Sequence, residues 1–289
     1  MSKKIDLHMH STASDGKNTP SELIDEAMDA GLAAIALTDH DSIGGLSELI
    51  AAGAKKDFEV VTGVELEIND GDFKLIHVVG LFFDHTNNKI KKMIMDAQEE
   101  RIRNKKAMIK KINSLGYKIT MKEVEAIAED TVGRPHIARI LVQRYPDEFK
   151  TVSEVFDKLL GNGKPGFVPR EKLISFKEAI EVIHAAGGIA ILAHPFLNKK
   201  PFEVLAYFLM HGGDGVETIY PVSDILKTPF DNEWIKKEGN PKLMEIIEEK
   251  DLLESGGNDY HGVVGHGAQL GELEIPYYFL EKMKEKLKR

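Results

Sequence analysis

The chain has 289 residues, 42% hydrophobic and 29% charged, an ordinary globular balance that excludes wholesale disorder, collagen and coiled coil. It contains no cysteine, so disulfides, thiolate nucleophiles and cysteine-held zinc are excluded and any metal must be held by His, Asp or Glu. A formal net charge of −9 argues against a general nucleic-acid or membrane coat.

The chain opens with Met1-Ser2-Lys3-Lys4-Ile5-Asp6, which lacks the apolar stretch of a signal peptide, and no apolar run reaches the roughly 18 residues of a membrane span. A cytoplasmic protein without membrane contact is therefore expected. In chain order, the hydrophobic pattern predicts strands over 4–8, 33–38, 59–66, 74–83, 189–193, 215–219 and 253–257. Helices are predicted over 21–30, 46–55, 90–115, 122–129, 134–143, 152–160, 176–186, 202–211, 242–250 and 277–288. Thr19-Pro20-Ser21-Glu22 is a helix start, and Gly31, Gly116 and Gly187-Gly188 are stops. Alternation of strand and helix predicts parallel βαβ units. The stretch between the fourth and fifth strands is far longer than one crossover and reads as helix. Residues 88–172 are therefore expected to be a helical insertion in a barrel built from 1–87 and 173–289. Its first helix is basic, from Lys89 to Lys111, and suits either a solvated face or a lid that attracts phosphate.

The chemistry gathers where strands end. Asp6, His8 and His10 alternate along the first strand, so the two imidazoles share a face and can grip one cation. Asp15 follows in a loop. Thr38-Asp39-His40-Asp41 ends the second apolar run, Glu65 the third and His194 the fifth, and Asp259 and His261 follow the seventh. His77 lies within an apolar strand, a place more typical of a core residue, but its company makes it a ligand candidate. Strand C-termini are where β/α barrels build their sites. Nine oxygen and nitrogen donors exceed the needs of one ion and suit two or three divalent ions such as Mn²⁺, Zn²⁺ or Fe²⁺. Such clusters activate water for in-line attack on phosphorus. Asp6 and Asp39 are expected to support the ligands, Asp41 is open to being no more than a helix N-cap, and His85, His184, His211 and His266 are expected to be structural or surface residues. Gly133-Arg134-Pro135-His136 is a helix start suited to an anion, so Arg134 and His136, with Arg101, are the candidate phosphate binders.

Asp6-Leu7-His8-Met9-His10, Thr38-Asp39-His40-Asp41, Gly63-Val64-Glu65, Ala193-His194-Pro195 and Asn258-Asp259-Tyr260-His261 resemble the PHP family, named for polymerase and histidinol phosphatase. Residues 133–139, Ala185-Ala186-Gly187-Gly188, Gly215-Val216-Glu217 and Tyr220-Pro221 are similar to its TrpH-like branch, which includes nucleoside 3',5'-bisphosphate phosphatases and enzymes that trim short RNA from the 5' end. The resemblance implies a distorted (β/α)7 barrel of α/β class. By motif, His8, His10, Glu65 and Asp259 would hold one ion; Glu65, His77 and His194 a second; Asp15, His40 and His261 a third. Asp15, His40 and His194 would also be catalytic positions. Two departures stand out: Asn258 where many relatives have Ser, and Thr218-Ile219 after Glu217 where Val-Tyr is expected. The expected activity is hydrolysis of a small nucleotide or short oligonucleotide phosphoester, without long nucleic acid or an obligate protein partner. L-histidinol-phosphate phosphatase and a non-catalytic metal-binding module are the alternatives.

Overall fold

The structure, a computed structural model, describes residues 3–128, 132–170, 174–221, 228–262 and 269–288. The strands are β1 (Lys4–Asp6), β2 (Leu32–Leu37), β3 (Glu59–Asp70), β4 (Phe73–Leu81), β5 (Ile189–Leu192), β6 (Gly215–Ile219), β7 (Leu253–Gly256) and β8 (Ile275–Pro276). They form one sheet in the order β7-β6-β5-β4-β3-β2-β1-β8. The ends of β1 and β7 meet beyond the ladder: Leu7 N–H donates to Gly256 O at 3.0 Å, and Met9 bridges Tyr260. The sheet therefore curls into a nearly closed barrel.

Two features depart from uniform parallel βαβ units. β4 runs antiparallel to both β3 and β5. Glu65 does not end its strand: β3 continues to Asp70 and turns back into β4 at Gly71, whose φ of 55° suits glycine. The eighth strand, two residues paired antiparallel with β1, is too short to carry a periodic signal.

The helices are α1 (Pro20–Asp29), α2 (Leu46–Lys56), α3 (Asn88–Ser114), α4 (Met121–Glu125), α5 (Arg134–Arg144), α6 (Val152–Val155), α7 (Phe176–Ala185), α8 (Pro201–Met210), α9 (Asn232–Trp234), α10 (Asn240–Lys250) and α11 (Tyr278–Leu287). Thr19 and Glu22 cap α1 reciprocally, as the sequence pattern requires. α4 is shorter than its predicted 122–129, whose last residue lies outside the described ones. π-helical turns extend α6 through Phe156–Leu160 and join α9 to α10 through Ile235–Gly239.

Alternate residues of the strands feed two cores. Ile35 and Leu37 pack with α1, α2, α7 and α8, while Ala34 and Ala36 pack on the opposite face with Val61, Val79 and the α11 residues Phe279, Leu280 and Met283. Glu65 and His77 stand on the same sheet face as Val61 and Val79 and so lie above that second core. A third cluster joins Met108, Ile109 and Ile112 of α3 to Ile137, Leu141, Phe149 and Leu160. The first turns of α3 belong instead to the barrel, through Ile90, Met93 and Ile94. Among the described residues, no helix is long and apolar enough to cross a membrane.

Candidate metal centre

Strand ends are tied together before any side-chain chemistry begins. The Thr38 hydroxyl donates to Met9 O (3.0 Å) and accepts from Met9 N–H (3.1 Å). His40 bridges Glu65, and Asp41 N–H donates to Glu65 O at 2.8 Å. Gly257 admits the β1 end: a Cβ there would lie 2.2 Å from His8 Cβ, an approach that only glycine permits.

All nine candidate donors fall in one cluster, with Glu65 as its hub. Glu65 Oε1 lies 2.8 Å from His77 Nδ1, 3.0 Å from His194 Nε2 and 3.3 Å from His8 Nε2. Its Oε2 lies 2.8 Å from His40 Nδ1 and 3.5 Å from His10 Nε2. Asp259 Oδ1 is 3.1 Å from His10 Nε2, and Asp15 Oδ1 is 3.3 Å from His261 Nε2. The His10 ring sits 4.1 Å from that of His261 and 4.5 Å from that of His40.

These residues fit divalent ions. His8 Nε2, both His10 nitrogens, His40 Nδ1, His194 Nδ1 and Glu65 Oε2 are buried without a hydrogen-bond partner among the described residues. Buried polar atoms are ordinarily paired, so orphans crowded at one point call for a shared cation. Three overlapping sets could each hold an ion: His10, Asp15, His40 and His261; His8, His10 and Glu65; and His40, Glu65 and His77. His10 thus reaches the set formed by Asp15, His40 and His261 as well as the one around His8.

Protons are shared unevenly. Burial, reinforced by His261 and His40, pushes His10 down to about 3. Burial also opposes charge on His261, but Asp15 outweighs it and lifts that imidazole to about 9. Against burial, Glu217 and Glu65 raise His8, and Glu65 raises His77. Against burial, too, the histidines hold Asp15, Glu65 and Asp259 well below the ordinary carboxylate range. Cations entering such a site displace these protons.

The supporting residues are only partly those expected. Glu217, buried in β6, accepts from His8 Nδ1 at 2.8 Å and from His194 N–H at 2.7 Å, so one carboxylate fixes two cluster members. Its signal was a lone carboxylate in the apolar run Gly215–Ile219. Asp6 and Asp39 touch no imidazole. Asp6 accepts from His8 N–H (3.2 Å) and from the Asn258 amide (2.6 Å), and Asp39 accepts from Ser11 and Ser14. Burial raises Asp6 to about 7 and Asp39 to about 6. Asn258 in place of Ser thus braces Asp6. The extra Thr218 is absorbed as a β-bulge, because Glu217 pairs with Ser255 and Ile219 with Gly256.

Asp41 is not a helix cap; Gly45 occupies that position of α2. Asp41 is buried and binds Arg170 at 2.9 Å and Arg101 at 3.0 Å. Arg101 therefore reaches the site with its guanidinium turned onto a carboxylate. The partnership spans 60 and 129 residues of chain, beyond any local pattern. The first turn of α5 abuts Asp15: a Cβ on Gly133 would lie 3.5 Å from Asp15 Oδ2, and Arg139 donates to Asp15 O at 3.3 Å. His136 Nδ1 accepts from Gly133 N–H at 3.0 Å, and Arg134 lies over the Phe156 and Phe167 rings. His184 pairs with Asp214, His211 packs on Tyr207, His85 lies between β4 and α3, and His266 is outside the described residues. Three site residues adopt left-handed backbone: Asp41 (φ 47°), His194 (φ 27°) and Asp259 (φ 49°).

Comparison with known proteins follows the same lines. The PHP domain family matches residues 6–186. The chain is 36% identical over 265 residues to a 5'-3' exoribonuclease of Haemophilus influenzae, covering 90% of this chain and 91% of the relative. It is 30% identical over 276 residues to the 3',5'-nucleoside bisphosphate phosphatase of Chromobacterium violaceum, covering 93% and 91%. A solved structure from Bifidobacterium adolescentis, classed as a metal-dependent phosphoesterase, matches with a TM-score of 0.83 at 27% identity, over 97% of this chain and 95% of that one.

Proposed function

The chain belongs to the PHP domain family, and from that membership we propose a metal-dependent phosphoesterase that acts on a small nucleotide such as a nucleoside 3',5'-bisphosphate, or on the 5' end of short oligoribonucleotides. The observation that carries the reading is Glu65, a buried carboxylate with five imidazoles within 3.5 Å of its oxygens. Our ligand assignment is His8, His10, Glu65 and Asp259 for one ion, Glu65, His77 and His194 for a second, and Asp15, His40 and His261 for a third. Mn²⁺, Zn²⁺ and Fe²⁺ suit this all-oxygen-and-nitrogen set. Divalent ions held there supply Lewis acidity towards water and towards phosphoryl oxygens.

The chain's own residues do the rest. Asp15, His40 and His194 are the proposed catalytic positions, His40 and His194 just past the ends of β2 and β5 and Asp15 in the longer loop between β1 and α1, where rigid scaffolds place reactive groups. His40, His77 and Asp259 keep side-chain exposures of 17%, 22% and 15%, so substrate approaches over them. The N-terminus of α5 abuts Asp15 of the cluster, and a helix N-terminus suits an anion. Burial holds His136 down to about 4, so it is a neutral hydrogen-bonding group near pH 7 and Arg134 supplies the charge. We read residues 88–172 as a lid, supported by their own apolar cluster and by α3, which runs from it into the barrel.

Elemental analysis of the purified protein, beside phosphate release from adenosine 3',5'-bisphosphate, short 5'-phosphorylated RNA and histidinol phosphate, tests the reading. Two or three ions per chain and turnover of the nucleotide substrates are expected, with Glu65→Ala losing metal and more than roughly a hundredfold in rate. Metal-loaded protein that hydrolyses no phosphoester refutes it.

A further inference from the structure

The loop that carries Asp15 and the loop that carries Asp259 and His261 come from opposite ends of the chain, yet their side chains must meet at one point. Two donors to a single ion stand about 3–3.5 Å apart at ordinary bond lengths. Asp15 Oδ1 lies 3.3 Å from His261 Nε2. Backbone contacts begin the alignment: Lys17 N–H donates to His261 O at 3.0 Å, and His10 N–H donates to Tyr260 O at 2.8 Å.

A side-chain junction outside the metal centre completes it. Glu26, half-buried on α1, accepts from the Asn18 amide at 2.7 Å through one carboxylate oxygen and from the Tyr260 hydroxyl at 2.7 Å through the other. Asn18 follows Asp15 by three residues, and Tyr260 stands between Asp259 and His261. Gly262 makes room for Asn18, because a Cβ there would overlap its Oδ1. α1 is a fixed post: the Thr19–Glu22 capping box closes the turn directly after Asn18, and Leu23, Ile24 and Ala27 are buried in the first core. One carboxylate on a rigid helix thus holds both loops, through hydrogen bonds of the stronger class.

We propose that Glu26 is a positioning residue for the Asp15–His40–His261 ion site, acting through Asn18 and Tyr260 to set the spacing of Asp15 and His261. The inference rests on the metal assignment above for its ion, but the alignment of the two loops needs no metal. Two measurements on the full chain test it. In chelator-treated protein, Glu26→Ala speeds amide hydrogen exchange at Lys17 by roughly 10-fold, and Tyr260→Phe, which deletes a single oxygen, speeds it less. Zn²⁺ titration followed by the ring ¹⁵N signals of His261 and His77 then reads the sites one by one. In Glu26→Ala the His261 midpoint moves to roughly 10-fold higher free Zn²⁺, while that of His77, whose site neither loop touches, stays within about twofold. Glu26→Gln restores most of both losses, because its oxygen accepts from Asn18 while its NH₂ donates to the Tyr260 oxygen. Adding Tyr260→Phe to Glu26→Ala weakens the His261 site no further, since the hydroxyl acts only through Glu26. An unmoved His261 midpoint in Glu26→Ala and in Tyr260→Phe overturns the inference, as does an equal shift at His261 and His77. A selective loss at His261 in a protein that hydrolyses no phosphoester supports it while refuting the proposed function, and a chain that binds no divalent ion refutes both.

Discussion

Replacing Glu217 by Gln changes few atoms and asks most of the metal centre. The carboxylate of Glu217 has two duties: it accepts from His8 Nδ1 at 2.8 Å and from His194 N–H at 2.7 Å. With its proton on Nδ1, His8 presents a bare Nε2 to Glu65, as a ligand must. An amide has one oxygen and one NH₂. If the oxygen serves His194, the NH₂ faces His8 Nδ1 and forces the ring proton onto Nε2, the cation side. If the oxygen serves His8, the NH₂ meets the His194 N–H, and two buried donors collide. Loss of such an orienting partner costs about 10- to 100-fold in metal affinity, or about 1.4–2.7 kcal/mol. Titration of Mn²⁺ into wild type and Glu217→Gln measures the difference, and ¹⁵N chemical shifts of the His8 ring report the tautomer. Wild-type Mn²⁺ affinity with His8 protonated on Nε2 would falsify the reasoning.

Two further perturbations probe stability. Burial lowers His136 from 6.5 to about 4, so the unfolded chain takes up a proton before the folded one does. Its contribution is complete above about pH 6.5 and is lost as pH falls towards 4; the whole gap is worth up to about 3 kcal/mol. Urea unfolding at pH 7, 5.5 and 4 should therefore show a shallower acid slope for His136→Gln, and parallel slopes contradict this. Asp41→Ala strands the Arg101 and Arg170 guanidinia in a buried site, with a loss of about 3–5 kcal/mol expected. A loss under about 1 kcal/mol in the same assay shows that the pair finds other partners.

Most donors of the candidate centre were legible because they stand at or near a break in hydrophobic pattern: His8 and His10 after Ile5, His40 after Leu37, His194 after Ala193; His77, inside the apolar strand β4, was picked out only by its company. A chain-local signal suffices when the barrel brings all strand ends to one rim. What escaped has partners far along the chain. Asp41 reads locally as a cap, yet its role is set by Arg101 and Arg170. Arg170 and Lys105 look like two of many surface cations until packing buries them. The reversed direction of β4 is also invisible in its composition, since parallel and antiparallel buried strands share the same residues. The Asn69-Asp70-Gly71-Asp72 turn was the available clue, because Asp-Gly between apolar runs favours a tight hairpin.

The left-handed turns at His194 and Asp259 constrain what engineering can reach. Glycine would relax either backbone at once, but it would also delete the donor that the turn exists to aim. A screen for thermal tolerance alone that kept such a change would also remove one donor from the candidate centre. Gains in heat resistance are better sought in the apolar layers beneath, where side chains carry no chemistry.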